Sequence, residues 1–313
     1  MPEILDDKSE HCVPFILERL NLHKEYYKSK GEQPPPFFIG LNGVQGAGKT
    51  TLRVDPSWKV STLSATLSSP PYNLPTVVLS IDDLYLSHDA QIELAKTHAG
   101  NPLVQHRGEP STHDVALGAK LFAAIRFHES NIRIPSYDKS AFSGQGDRRP
   151  ESEWEVINRE GTNPVEVVIF EGWCVGFRAL SDAELEKKWE DAKVEGGEYR
   201  GQLAKHTLEN LAFVNKKLRD YDQLTDQLNA FLHIDAADTQ YVYAWRLEQE
   251  TALRAAKGTG MTDEQVVNFV NGYYPAYELY TDVLRNGIYG QEKGRQLRLV
   301  VEKDRRVKEV IKI

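Results

Sequence analysis

Cysteine is nearly absent from this chain. Cys12 and Cys174 lie far apart and offer neither a disulfide framework nor metal-ligand spacing, so a reducing compartment is the expected setting. Long apolar runs are missing too, and none approaches the roughly 20 residues that a membrane-spanning helix needs. Positive charge is in deficit. The 38 Lys and Arg against 46 Asp and Glu give a net charge of −8 and a pI near 5.7, which argues against a nucleic-acid groove or an anionic membrane as partner. The N-terminal acids Glu3, Asp6, Asp7 and Glu10 are unlike the start of a signal or transit peptide, and cytosol is the expected address. We find no repeat, no low-complexity tract and no His/Cys set with ligand spacing; His88, His98 and His106 read as surface histidines. What remains is ordinary globular composition: 313 residues, 40% hydrophobic and 27% charged, enough for one large domain or two small ones.

One segment stands out. Residues 36–52 read PFFIGLNGVQGAGKTTL, an apolar strand running into a glycine loop. Gly43, Gly48, Lys49 and Thr50 fill the pattern G-x-x-x-x-G-K-[ST]. Glycines let the backbone curl until successive N–H groups face phosphate oxygens. A lysine at the loop's end reaches the β/γ-phosphates, the following hydroxyl ligates Mg²⁺, and a helix N-terminus adds its dipole. Gly43, Gly46, Ala47, Gly48, Lys49, Thr50 and Thr51 are therefore the expected nucleotide contacts.

Five β-branched or aromatic runs, 37–42, 77–81, 165–170, 230–234 and 297–301, are separated by helix-length segments, the pattern of a parallel sheet covered on both faces. Residues 11–30 carry apolar positions at helical spacing, and polar helical stretches fill 181–228 and 262–285. The charged piece 190–201 reads as a surface insertion. One conflict stands: the helix behind the glycine loop is interrupted by 53–59, RVDPSWK, although a mid-helix proline costs about 3 kcal/mol. The heptapeptide reads as an intrusion, either a bulged loop or an error in the gene model.

Ligands of a parallel sheet bind beyond the carboxyl ends of its strands. The second run ends in Asp82-Asp83. Such a pair can orient a substrate hydroxyl, accept its proton or hold Mg²⁺ through water; capping of a helix is the plainer alternative. Asp82 is the expected base and Asp83 a cap or partner. The third run closes on Glu171-Gly172, an acid suited to the Mg²⁺ side of a phosphate loop. Two long polar loops, 101–114 and 135–148, carry Arg107, His113, Tyr137, Lys139 and Arg148. The three cations there point to an anionic second substrate, since guanidinium grips carboxylate or phosphate in a fork; singly, each also reads as a solvated surface charge. The segment 240–254, with a glycine-rich exit, looks like a lid, and Arg246 is its better arginine-finger candidate and Arg254 the weaker, with an ordinary surface helix as the alternative. The aromatic run 273–280 reads as helix packing.

Taken together, GVQGAGKTT (43–51), SIDDLYL (80–86), RGEPSTHD (107–114), PSYDKSAFSGQGDR (135–148) and FEGWCVGF (170–177) resemble the fungal and plant D-glycerate 3-kinases. More broadly they are similar to the uridine kinase, phosphoribulokinase and pantothenate kinase group. The resemblance runs over about 36–310. It implies a three-layer α/β P-loop NTPase fold with a five-stranded parallel sheet in the order 2-3-1-4-5. It implies a kinase domain over 36–313 behind a helical extension and linker at 1–35, with a lid near 239–262. It also implies MgATP as cofactor, with Asp82 activating the acceptor hydroxyl, Glu171 beside Thr50 and Asp82 on the Mg²⁺ side, and Arg246 as lid arginine. The expected reaction is phosphorylation of the 3-hydroxyl of D-glycerate by a monomer or weak homo-oligomer. The alternatives are a kinase of the same group acting on a nucleoside, pantothenate or a sugar phosphate, or a non-catalytic nucleotide-binding regulator.

Overall fold

The computed structural model describes residues 7–47, 60–194, 201–258 and 260–313. Gly48, Lys49, Thr50 and Thr51, the heptapeptide 53–59, and residues 195–200 of the charged piece lie outside the described residues.

The five apolar runs form the strands β1 (Phe37–Gly43), β2 (Thr76–Ser80), β3 (Val167–Gly172), β4 (Ala230–Ala236) and β5 (Gln296–Val301). A sixth, β6 (Val307–Lys312), joins them, and the spatial order is β6-β5-β4-β1-β3-β2. This corrects the expected five-stranded sheet: it has six strands, β6 runs antiparallel to β5, and the full order is 2-3-1-4-5-6. The sequence VKEVIK gave little sign of a strand, because β6 is an edge whose charged residues face solvent.

β1 sits at the centre with every residue buried. Gly40 is needed there because a Cβ would fall 2.5 Å from the Phe231 ring. Register then aligns the site. Leu41 and Ser80 both pair with Glu171, and Asn42 pairs with Gly172, so three strands end together at one edge. The Asn42 amide fixes that edge by donating to the carbonyls of Trp173 (2.9 Å) and Val175 (2.8 Å).

Helices α1 (Ser9–Ser29), α2 (Val60–Ser68), α3 (His88–Thr97), α4 (Val115–Arg126), α5 (Asp182–Val194) and α6 (Leu208–Leu218) precede a pair, α7 (Tyr241–Lys257) and α8 (Asp263–Asn286). Cys12, Phe15, Ile16 and Leu20 of α1 join the same core as the sheet. In α8, Tyr273, Tyr274, Tyr277 and Tyr280 are buried, so the aromatic run is packing, as expected. Buried Asp235 at the end of β4 takes Nε–H donors from Arg285 (2.8 Å) and Arg298 (2.9 Å), which clamps α8 to the sheet. No helix among the described residues is long and apolar enough to cross a membrane.

Candidate active site

The glycine loop leaves β1 at Gly43. Its Val44–Ala47 turn is closed by the Ala47 N–H on the Val44 carbonyl at 3.2 Å. Gly46 lies in the left-handed region at φ 84°, and the Tyr277 hydroxyl accepts from the Gln45 N–H at 3.2 Å. Ala47 is buried. The turn is thus held from two sides before the residues that would meet phosphate.

Asp82 and Asp83 stand on a 3-10 turn, Ile81–Leu84, straight after β2. Ser80 supplies the cap, accepting from the Asp82 N–H, so neither aspartate is spent on that role. Asp82 Oδ2 is paired with Lys139, whereas its Oδ1 is buried with no hydrogen-bond partner among the described residues. Burial alone would raise this carboxyl. The Lys139 ammonium instead holds it below the usual value and keeps it ionised. Asp83 behaves oppositely. It accepts from the Tyr137 N–H at 3.0 Å, yet burial, with the charges of Asp82 and Glu171, pushes it up to about 6. Glu171 is itself buried at the end of β3.

The two polar loops fold onto this acidic edge. Tyr85 bridges His113, the Leu86 N–H donates to the Thr112 carbonyl (2.9 Å), and the Asp114 N–H donates to the Leu84 carbonyl (2.7 Å). The His113 ring stacks on Tyr85 with centroids 4.3 Å apart. Its Nδ1 lies 2.7 Å from the Tyr221 hydroxyl, which already accepts from the Ser111 N–H at 3.1 Å. Donation of the tyrosine proton to Nδ1 satisfies both groups and leaves the ring proton on Nε2. That Nε2 is buried without a partner among the described residues, and so is Trp173 Nε1. Burial lowers the His113 pKa to about 4, so the ring is neutral at pH 7.

This burial has a consequence for stability. The unfolded chain binds a proton on His113 as pH falls below its ordinary 6.5, whereas the folded chain resists until about 4. The unfolded state therefore holds more protons in that window, and stability falls as pH drops through it, by about 3 kcal/mol. Urea titrations at pH 7 and pH 4 should show a smaller drop for His113→Gln than for wild type; equal drops would place His113 in contact with water.

The expected trio of cations is engaged within the protein. Arg107 donates to the carbonyls of Gly144 (2.7 Å), Gln145 and Lys139 (3.4 Å), Arg148 to the Tyr85 carbonyl (2.9 Å) and Asp114 (3.3 Å), and Lys139 to Asp82. Carbonyl partners do not neutralise charge, so Arg107 still favours an anion nearby. Tyr137 pairs with Arg148 in a two-stranded ribbon, its ring 5.4 Å from Tyr85. His88, read as a surface residue, stacks on Phe142 at 3.7 Å and props the 142–147 loop.

Arg246 sits on the second turn of α7, bonded to Gln249 (2.9 Å), 3.6 Å from Glu250 and 5.1 Å over the Phe269 ring. Arg254 is tied to the Met261 carbonyl and Asp263. Sequence reasoning assigned no site role to Tyr85 or Trp173, although both lie in the motifs at the strand ends, and missed Tyr221 altogether. Tyr221 lies in a polar helical stretch and reaches His113 only through the fold.

The whole chain matches known proteins. The structure superposes on D-glycerate 3-kinase from Cryptococcus neoformans with a TM-score of 0.86 and 33% identity, covering 97% of this chain and 99% of that one. The chain belongs to the D-glycerate 3-kinase family. It is 40% identical over 260 residues to the uncharacterized kinase mug58 of Schizosaccharomyces pombe, covering 81% of this chain and 84% of that protein. It is 32% identical over 293 residues to the chloroplastic D-glycerate 3-kinase of Arabidopsis thaliana, covering 92% of this chain and 57% of that protein. No family model matches. The kinase is thus related to these proteins along most of its length.

Proposed function

We propose that this kinase transfers the γ-phosphoryl group of MgATP to the 3-hydroxyl of D-glycerate, giving 3-phosphoglycerate and ADP. The observation that carries the reading is the ionised Asp82 at the end of β2, with one oxygen fixed by Lys139 and the other buried and bare. A hydroxyl proton satisfies that oxygen. Two unpaired N–H donors, His113 Nε2 and Trp173 Nε1, and the unneutralised Arg107 suit the acceptor's carboxylate. This shifts carboxylate recognition away from Lys139 and Arg148, which serve as braces, with Tyr137 and Asp83 holding the ribbon.

The low pKa of Asp82 makes it a weak base toward a free alcohol. Its work is to orient the hydroxyl in line and take the proton as the bond to phosphorus forms, which a loose transition state allows. Lys49 and the loop N–H groups hold the triphosphate, and Arg246, released from Gln249, covers the transferred group. The hard oxygen donors here fit Mg²⁺: Thr50 and Glu171, directly or through water, with Asp82 adjacent. An ion of this kind is bound through one or two protein oxygens and the substrate's phosphates. When bound, Mg²⁺ neutralises charge on the phosphate oxygens. Buried free thiols at Cys12 and Cys174 suit a reducing compartment such as the cytosol.

The test is ADP release from MgATP with D-glycerate, L-glycerate, uridine, pantothenate and ribulose 5-phosphate. D-glycerate should give the highest kcat/KM. A higher value for another acceptor would reassign the substrate, and no release with any would favour a regulatory nucleotide-binding protein.

A further inference from the structure

We propose that Arg305 is a positioning residue that ties the glycine loop to helix α7, so that nucleotide binding and the placement of Arg246 form one event. The inference rests on the phosphotransfer reading above. Arg305 occupies the turn between β5 and β6, at φ 67°, far from the loop in sequence. Its Nε donates to the Gly46 carbonyl at 2.8 Å, and its Nη2 donates to Glu248 of α7 at 2.6 Å. Its guanidinium carbon lies 5.3 Å from the ring centroid of Trp245, and the side chain is only 13% exposed.

The contact is close on every side. A Cβ on Gly46 would fall 2.4 Å from the Cβ of Trp245, so the loop backbone rests directly on the first turns of α7. Trp245 Nε1 in turn donates to the Lys303 carbonyl at 2.7 Å, in the same β5–β6 turn as Arg305. That turn is braced from the N-terminus, where Lys8 donates to the Arg305 carbonyl (2.7 Å) and Asp7 accepts from the Val307 N–H (2.6 Å).

Peptide planarity gives the clamp its effect. Fixing the Gly46 carbonyl fixes the Ala47 N–H on the other side of the same plane, and with it the turn that opens the glycine loop. The second arm of the guanidinium sets the rotation of α7, and so the place from which Arg246 departs. A planar fork can serve two acceptors at once; an ammonium on a flexible stem holds such a geometry poorly.

Three variants test this: Arg305→Ala, Arg305→Lys and Glu248→Ala, each measured by calorimetric titration with MgADP and by steady-state kinetics. Arg305→Ala should weaken MgADP about tenfold, the worth of one charge-assisted hydrogen bond, and lower kcat as well, with acceptor KM unchanged. Arg305→Lys should recover part of both. Glu248→Ala removes an exposed carboxylate that leaves the loop contact intact, so it should lower kcat while MgADP affinity stays at the wild-type value. A purely structural Arg305 would lower the melting temperature and move neither constant, which overturns the proposal. If Arg305→Ala does not fold, wild-type constants in the other two variants overturn it equally. Wild-type protein without affinity for MgADP or MgATP would sink the phosphotransfer reading and this inference together.

Discussion

Asp82→Asn is expected to cut turnover about a thousandfold, within the range for loss of a positioned acid–base group, while MgATP affinity stays nearly intact. The reason is geometric. Asp82 stands at the end of β2, with β3 between it and the glycine loop of β1, so the amide removes charge chiefly from the acceptor side. Asparagine also leaves Lys139 without its counter-ion, but that lysine is 56% exposed and water replaces the partner at little cost. The change therefore reads chemistry rather than folding. Coupled ADP release together with MgADP titration separates the two effects. Turnover near the wild-type rate would remove Asp82 from the mechanism.

Gly46→Ala should damage nucleotide binding, by a different route. The residue sits at φ 84°, where a side chain costs about 1–2 kcal/mol, and its new Cβ would lie 2.4 Å from that of Trp245. Trp245 is fully buried and hydrogen-bonded through its indole, so the glycine loop must give way. Nucleotide affinity should fall at least tenfold, the equivalent of 1.4 kcal/mol, with the melting temperature little changed because the loop lies at the edge of the sheet. Wild-type affinity would mean that the loop tolerates a different backbone.

Much of this was legible in the residues. Buried parallel strands must be apolar along their length, so all five announced themselves, and the polar loops between them had to carry chemistry or none. The acidic pair Asp82-Asp83 was legible as chemistry at a strand's carboxyl end, and the structure gives the capping role of the plainer alternative to Ser80. The cations were legible as charges but not as partners. Whether Arg107 meets a substrate or the carbonyls of Gly144 and Gln145 depends on how two loops cross, which local sequence does not encode. The strand Val307–Lys312 escaped because an edge strand facing solvent has no apolar alternation to detect.

By itself the sequence determined the glycine-loop pattern, the parallel strands and the acids at the ends of β2 and β3, since these follow from local periodicity and from backbone chemistry within a few residues. Tertiary structure decided everything that joins distant segments: His113 made neutral by burial beside Tyr221, Arg107 anchored by carbonyls that leave its charge unneutralised, and Arg305 reaching Gly46 across the molecule. Desolvation and hydrogen-bond pairing are properties of an assembled environment, so the same side chain takes its charge state and its role only once the chain has closed around it.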